Sequence, residues 1–240
     1  MSQDERPPGP DPLTVLTRGE VELLGRMPWS SNQTYLAHLC LDGTEMQAVY
    51  KPHRGERPLW DFPGGLYRRE IAAYELARAL GWDLVPETVL REDAPLGPGS
   101  LQRFVAADFE QHYFTLLEES SHHRQLRRIA VFDLVANNAD RKSGHCLLAP
   151  DGHIWAIDHG LCFHADPKLR TVIWDFGGEH LDEEDRNAVA RLSLSGLPAA
   201  LAGLLDTEEC DGLLARCAAV ARRKTFPDPG PGRPYPWPLV

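Results

Sequence analysis

A chain of 240 residues is long enough to bury a substantial core, as one domain or as two lobes sharing a cleft, and so is not a small single module. With 42% hydrophobic and 25% charged residues its composition is ordinary for a globular protein, which confines expected disorder to the ends. A formal net charge of -10 has the wrong sign for wrapping a polyanion and excludes nucleic acid as the main partner.

The five cysteines are scattered, with no C-x-x-C pair and no secretory leader, and read as reduced thiols of a cytoplasmic protein. No apolar run approaches the roughly 20 residues that span a bilayer, so no integral membrane contact is expected. The basic residues are mostly Arg, a bias that fits a GC-rich bacterial genome.

In chain order, residues 1–12 carry the Pro bias of a flexible tail, and 225–240 mirror it as a loosely packed strap anchored by Tyr235 and Trp237. Strands are expected at 21–27 and 33–41, and Asp42-Gly43 turns the chain into a third at 44–51 that ends on Lys51. A helix follows over 66–80, stopped by Gly81, with Ala73, Leu76, Ala77 and Leu80 on one stripe and Glu70 on the same face. Strands at 85–90 and 101–105 complete an N-terminal lobe spanning 13–105.

The lobe after it, 106–224, reads as helical, with candidates at 109–118, 121–136, 182–194 and 207–223. One β-like insertion interrupts it, 146–148 and 154–157, joined by the turn signal Pro150-Asp151-Gly152. The fold class is therefore α+β.

Carboxylates and histidines stand at both ends of that insertion: Asn137-Asn138-Ala139-Asp140-Arg141-Lys142-Ser143-Gly144-His145 before it and Ala156-Ile157-Asp158-His159-Gly160 after it. Together they resemble the catalytic and metal-binding loops of the kinase superfamily, and the Asp-Arg start looks most like the phosphatidylinositol 3-/4-kinase-related branch. The resemblance, over residues 20–165, implies a two-lobed protein-kinase-like fold that binds ATP with Mg²⁺ or Mn²⁺. It implies that Asp140 positions the attacking hydroxyl, that Lys142 meets the γ-phosphate, and that His145 and Asp158 hold metal. Lys51 would hold the α/β-phosphates, with Glu70 holding Lys51, and the linker from Gln102 through Phe104 would meet adenine. The activity implied is phosphate transfer to a hydroxyl of a protein, lipid or small molecule; the acceptor itself is not specified.

The chain departs from the pattern in three places. His145 stands where Asn is usual, and imidazole favours Mn²⁺ or a single metal site. The metal loop reads Asp158-His159-Gly160 instead of Asp-Phe-Gly. The phosphate-covering loop at 27–32 offers hydroxyls and an amide instead of a Gly-rich run.

Two rival functions follow: a catalytically weak nucleotide-binding regulatory module, and a metal-dependent hydrolase using Asp140, His145, Asp158 and His159. The second lacks the His-Glu-x-x-His pair of a zinc hydrolase. Plainer readings also stand. Asp140 caps a helix end, Asp158-His159-Gly160 is a turn, Lys51 is a solvated strand end, Glu70 pairs with a neighbouring Arg, and His145 is a loop histidine without a ligand. Trp60, Phe62, Trp155 and Trp174 are expected in the core.

Overall fold

The computed structural model describes residues 9–28 and 32–239. Trp29, Ser30 and Ser31, the centre of the expected phosphate-covering loop, lie outside the described residues, as do 1–8 and Val240. The chain forms two compact units, one from residues 1–57 and 87–104, the other from 58–86 and 105–240.

The first unit is strand-rich. It opens with a helix that the sequence does not announce: α1, Pro12–Arg18, with Asp11 accepting from the Thr14 N–H at 3.2 Å and Pro12, the last residue of the expected tail, at the first helical position. Strands β1 (Glu20–Arg26), β2 (Tyr35–Leu41), β3 (Thr44–Pro52), β4 (Thr88–Arg91) and β5 (Gly99–Arg103) form one antiparallel sheet in the order β1-β2-β3-β5-β4. Asp42 and Gly43 both take positive φ, 50° and 78°, the backbone that the tight β2–β3 turn requires. α1 buries Val15 and Leu16 against Ala37, Leu39, Ala48, Tyr50 and Leu101 of the sheet, and Arg91 donates to the Leu16 and Gly19 carbonyls at 3.0 Å each. Lys51 pairs with Ser100 across β3 and β5.

The second unit is mainly helical: α2 (Leu66–Leu80), α3 (Tyr113–Leu117), α4 (His123–Ala136), α5 (Glu183–Ser195), α6 (Ala199–Ala202) and α7 (Thr207–Arg222), with the hairpin β6 (Cys146–Leu148) and β7 (Ile154–Ala156). α4 and α5 pack on α7, and Leu126, Ile129, Phe132, Ala188, Val189, Leu192, Leu213, Cys217 and Val220 of these helices are buried.

α2 groups with this unit, which interrupts the 13–105 lobe expected from sequence. The reason is Arg69, which donates to the carbonyls of Cys162 (3.0 Å) and Gly64 (3.2 Å) and forms a buried ion pair with Glu209 in the first turn of α7.

The aromatic expectations divide. Phe62 is buried, Trp155 and Trp174 are half-buried, but Trp60 is 95% exposed. The C-terminal strap is likewise held differently than expected. Tyr235 and Trp237 face solvent, while Phe226 and Pro236 are buried, and the carbonyls of Pro234 and Leu239 accept from the N–H groups of Thr171 (3.0 Å) and Ser143 (2.8 Å). Proline lacks the N–H but keeps the carbonyl, so a Pro-rich segment docks by accepting. No helix among the described residues is long and apolar enough to cross a membrane.

Candidate functional site

The site in the second unit is built on the end of α4. Asn137 ends that helix in the left-handed region (φ 55°), the conformation Asn tolerates best after Gly, and its amide donates to the carbonyls of His164 (2.8 Å) and Asp166 (2.7 Å). Asn138 donates to Asp133 at 2.9 Å and accepts from the Asp140 N–H at 3.0 Å. The turn-making work therefore belongs to the two asparagines, and the Asp140 side chain is left for other use.

The two loops are zipped by backbone hydrogen bonds, Ala139 N–H to Leu161 carbonyl at 2.8 Å and Phe163 N–H to Ala136 carbonyl at 2.7 Å. Residues missed by the sequence reading sit between them. Arg141 is fully buried and ion-paired with the equally buried Asp133 at 2.9 Å. The same guanidinium donates to the Ile157 carbonyl at 2.8 Å and to His159 Nε2 at 2.8 Å. Thr171 adds a hydrogen bond to Asp133 at 3.2 Å. A charged residue inside the apolar run Ala130-Val131-Phe132-Asp133-Leu134 was the available signal.

Among the expected site residues, Asp140 pairs with Lys142 Nζ at 3.3 Å, and His145 Nε2 stands 3.4 Å from Asp158 Oδ2. Asp158 is a non-glycine residue at φ 60°, a strained backbone of the kind found where a side chain must be aimed. Glu70 accepts from the His159 N–H at 3.0 Å, so α2 holds the metal-loop candidate directly. A Cβ at Gly160 would lie 3.3 Å from the Glu70 carboxylate, tighter than most such contacts, so a larger residue there presses on the group that receives the His159 N–H. Lys51, Gln102 and Phe104 belong to the first unit. Gln102 donates through its side chain to Thr88 at 2.9 Å, and the Phe104 N–H is bonded to the Gln47 carbonyl at 3.0 Å.

Burial, the largest cause, pushes the Asp140 carboxyl up from 3.8 to about 6; the Asp158 charge adds to this, and Lys142 and Arg170 oppose it. Because the folded value lies above the unfolded one, the stability this group contributes is present below about pH 4 and is lost as pH rises through about 6. Asp140→Asn is therefore expected to gain on the wild type between pH 4 and 7, by on the order of 3 kcal/mol at most, in denaturant unfolding at fixed pH steps. A pH-independent difference would show that the carboxyl does not titrate in that window.

The Asp158 carboxylate is half-exposed and is a hard oxygen donor, so it fits Mg²⁺ or Mn²⁺. His145 is different, because its Nδ1 faces the Lys142 N–H at 3.3 Å and must accept there. In the neutral ring the proton is then on Nε2, the nitrogen facing Asp158, which donates to the carboxylate instead of offering a lone pair. Among the described residues no group of three or more His, Cys, Asp or Glu side chains surrounds a common metal position.

The model of the family "Phosphatidylinositol 3- and 4-kinase" matches residues 74–180, the stretch from within α2 past Asp158. Protein Rv2133c of Mycobacterium tuberculosis is 40% identical over 265 aligned positions, covering 95% of each chain. Among solved structures, the Helicobacter pylori proinflammatory kinase CtkA aligns with a TM-score of 0.48 at 13% identity, over 87% of this chain and 94% of that one. The chain thus belongs to the phosphatidylinositol 3-/4-kinase-related branch of the kinase-like superfamily, in a small form that it shares nearly end to end with Protein Rv2133c.

Proposed function

We propose that the chain is an ATP-dependent phosphotransferase whose acceptor is a hydroxyl on a protein, lipid or small molecule. The observation that carries this reading is the joining of the Asp140 and Asp158 loops through Arg141, in a chain of this family. In it, Asp158 holds a divalent cation, which supplies neutralisation of the phosphate charge, and Lys142 and Lys51 bring positive charge to the γ- and α/β-phosphates. The end of β5 at Gln102–Phe104 meets the adenine, and Glu70 steadies the loop that carries Asp158. Asp140 orients the acceptor hydroxyl and takes its proton, for which its raised pKa suits it near neutral pH. His145 would join Asp158 as a ligand only with its proton on Nδ1, the tautomer that does not accept from the Lys142 N–H.

A second reading, a weakly active nucleotide-binding regulatory module, is favoured by that same His145 contact, since the ring as placed donates to Asp158. Two measurements on the purified protein decide. Thermal unfolding with and without ATP and Mg²⁺ or Mn²⁺ is expected to show stabilisation of about 2.7 kcal/mol at a ligand concentration about 100 times its dissociation constant. An unchanged melting temperature with millimolar ATP and either metal rejects both readings. Label transfer from ATP, to the protein itself or to an added acceptor, then separates them: binding without turnover leaves the regulatory module.

A further inference from the structure

His159 stands at the middle of the metal-loop candidate, fully buried, where the family pattern has an apolar ring. Its surroundings are polar on two sides. Arg141 Nη2 lies 2.8 Å from His159 Nε2, and the His159 N–H donates to Glu70 at 3.0 Å. Its ring meets Phe132 of α4 in a T-shaped contact, centroids 5.3 Å apart at 71°. Arginine can only donate, so Nε2 must be the accepting nitrogen and the neutral ring carries its proton on Nδ1.

The other donors of Arg141 are committed to Asp133 and to the Ile157 carbonyl, so the guanidinium is the buried hub and His159 is the acceptor the metal loop supplies to it. We infer that His159 is a positioning residue, a polar latch that fixes the loop carrying Asp158 to the loop carrying Asp140 so that the two move as one body. An apolar ring of similar size would fill the space and leave an Arg141 N–H buried without this acceptor. Restoring the usual phenylalanine is thus expected to loosen the loop. This inference rests on the phosphotransferase reading only for its kinetic consequence; the latch itself is a statement about two loops.

The experiment compares wild type, His159→Phe and His159→Gln, the last because a Gln side-chain oxygen can take the place of Nε2. Hydrogen exchange in residues 157–163 of the nucleotide-free protein is expected to quicken about tenfold or more in His159→Phe and to return most of the way in His159→Gln. With nucleotide and metal, kcat falls about 10- to 100-fold in His159→Phe, as small misplacements of a reacting group do, while the nucleotide dissociation constant stays within about threefold. Nitrogen NMR of the wild-type imidazoles, which requires no variant to fold, is expected to show His159 protonated at Nδ1 and bare at Nε2. An Nε2-protonated His159, or exchange in 157–163 unchanged by His159→Phe, overturns the latch. Should the wild type transfer no phosphate while exchange and NMR behave as stated, the phosphotransferase reading fails and the latch stands.

Discussion

Asp158→Asn is expected to abolish metal-dependent nucleotide binding, whereas Asp140→Asn leaves binding nearly intact and lowers transfer by about 100- to 10,000-fold. The two carboxylates are chemically alike, and their surroundings set them apart. Asp158 is half-exposed on a left-handed backbone, open to a cation. Asp140 is more enclosed, already paired with Lys142, and has its carboxyl raised to about 6 mainly by burial, which suits a proton acceptor more than a metal ligand. Isothermal titration with ATP and Mg²⁺, beside single-turnover transfer, gives the split. Equal loss of nucleotide affinity in both variants would mean the roles are wrongly assigned.

The largest effect on stability is expected from Asp133→Ala. Removing that carboxylate leaves the Arg141 guanidinium buried without its counter-charge and strips partners from Asn138 and Thr171, a loss of about 3–5 kcal/mol for a broken buried pair. For a protein of this size that corresponds to a fall of about 6–20 °C in melting temperature. The comparison is Arg124→Ala, which removes the exposed pairs to Asp182 and Glu184 and is expected to cost less than about 1 kcal/mol. Calorimetry on both variants tests the contrast; a loss at Asp133 no larger than at Arg124 would show that Arg141 is not held by this pair.

The elements that depend on local signals were legible before the structure. The helix over 66–80 was marked by its apolar stripe and by Gly81, and both hairpins by Asp-Gly turns, because periodicity and turn chemistry are written within a few residues. α1 escaped even though Asp11-Pro12 is a capping residue followed by Pro at the first helical position, since the expected tail ends at Pro12 and residues 13–18, too short for a clear period, carry no expected element. α6 has only four residues, too few for any period. In the site, Asp140 lies beside Lys142 and His145 beside Asp158. What spacing could not convey is which charges are buried. Arg69 and Arg141 look like surface residues in a string of letters, and only the long-range partners Glu209 and Asp133 make their burial tolerable.

The way α2 is fastened also bears on how the chain acquires its fold. Its two inward charges find their partners far downstream: Glu70 at a separation of 89 residues, Arg69 at 93 and at 140. Such contacts are costly to close early, so α2 gains its tertiary support late, after the α7 segment exists. On a ribosome adding about 5–20 residues per second, the 140 residues between Arg69 and Glu209 take roughly 7–28 s, and α5 and α6, which pack on α2, are likewise made only after it. The nascent chain thus passes through an interval in which the buried face of α2, with Arg69 and Glu70, has been made before the groups that pair with it.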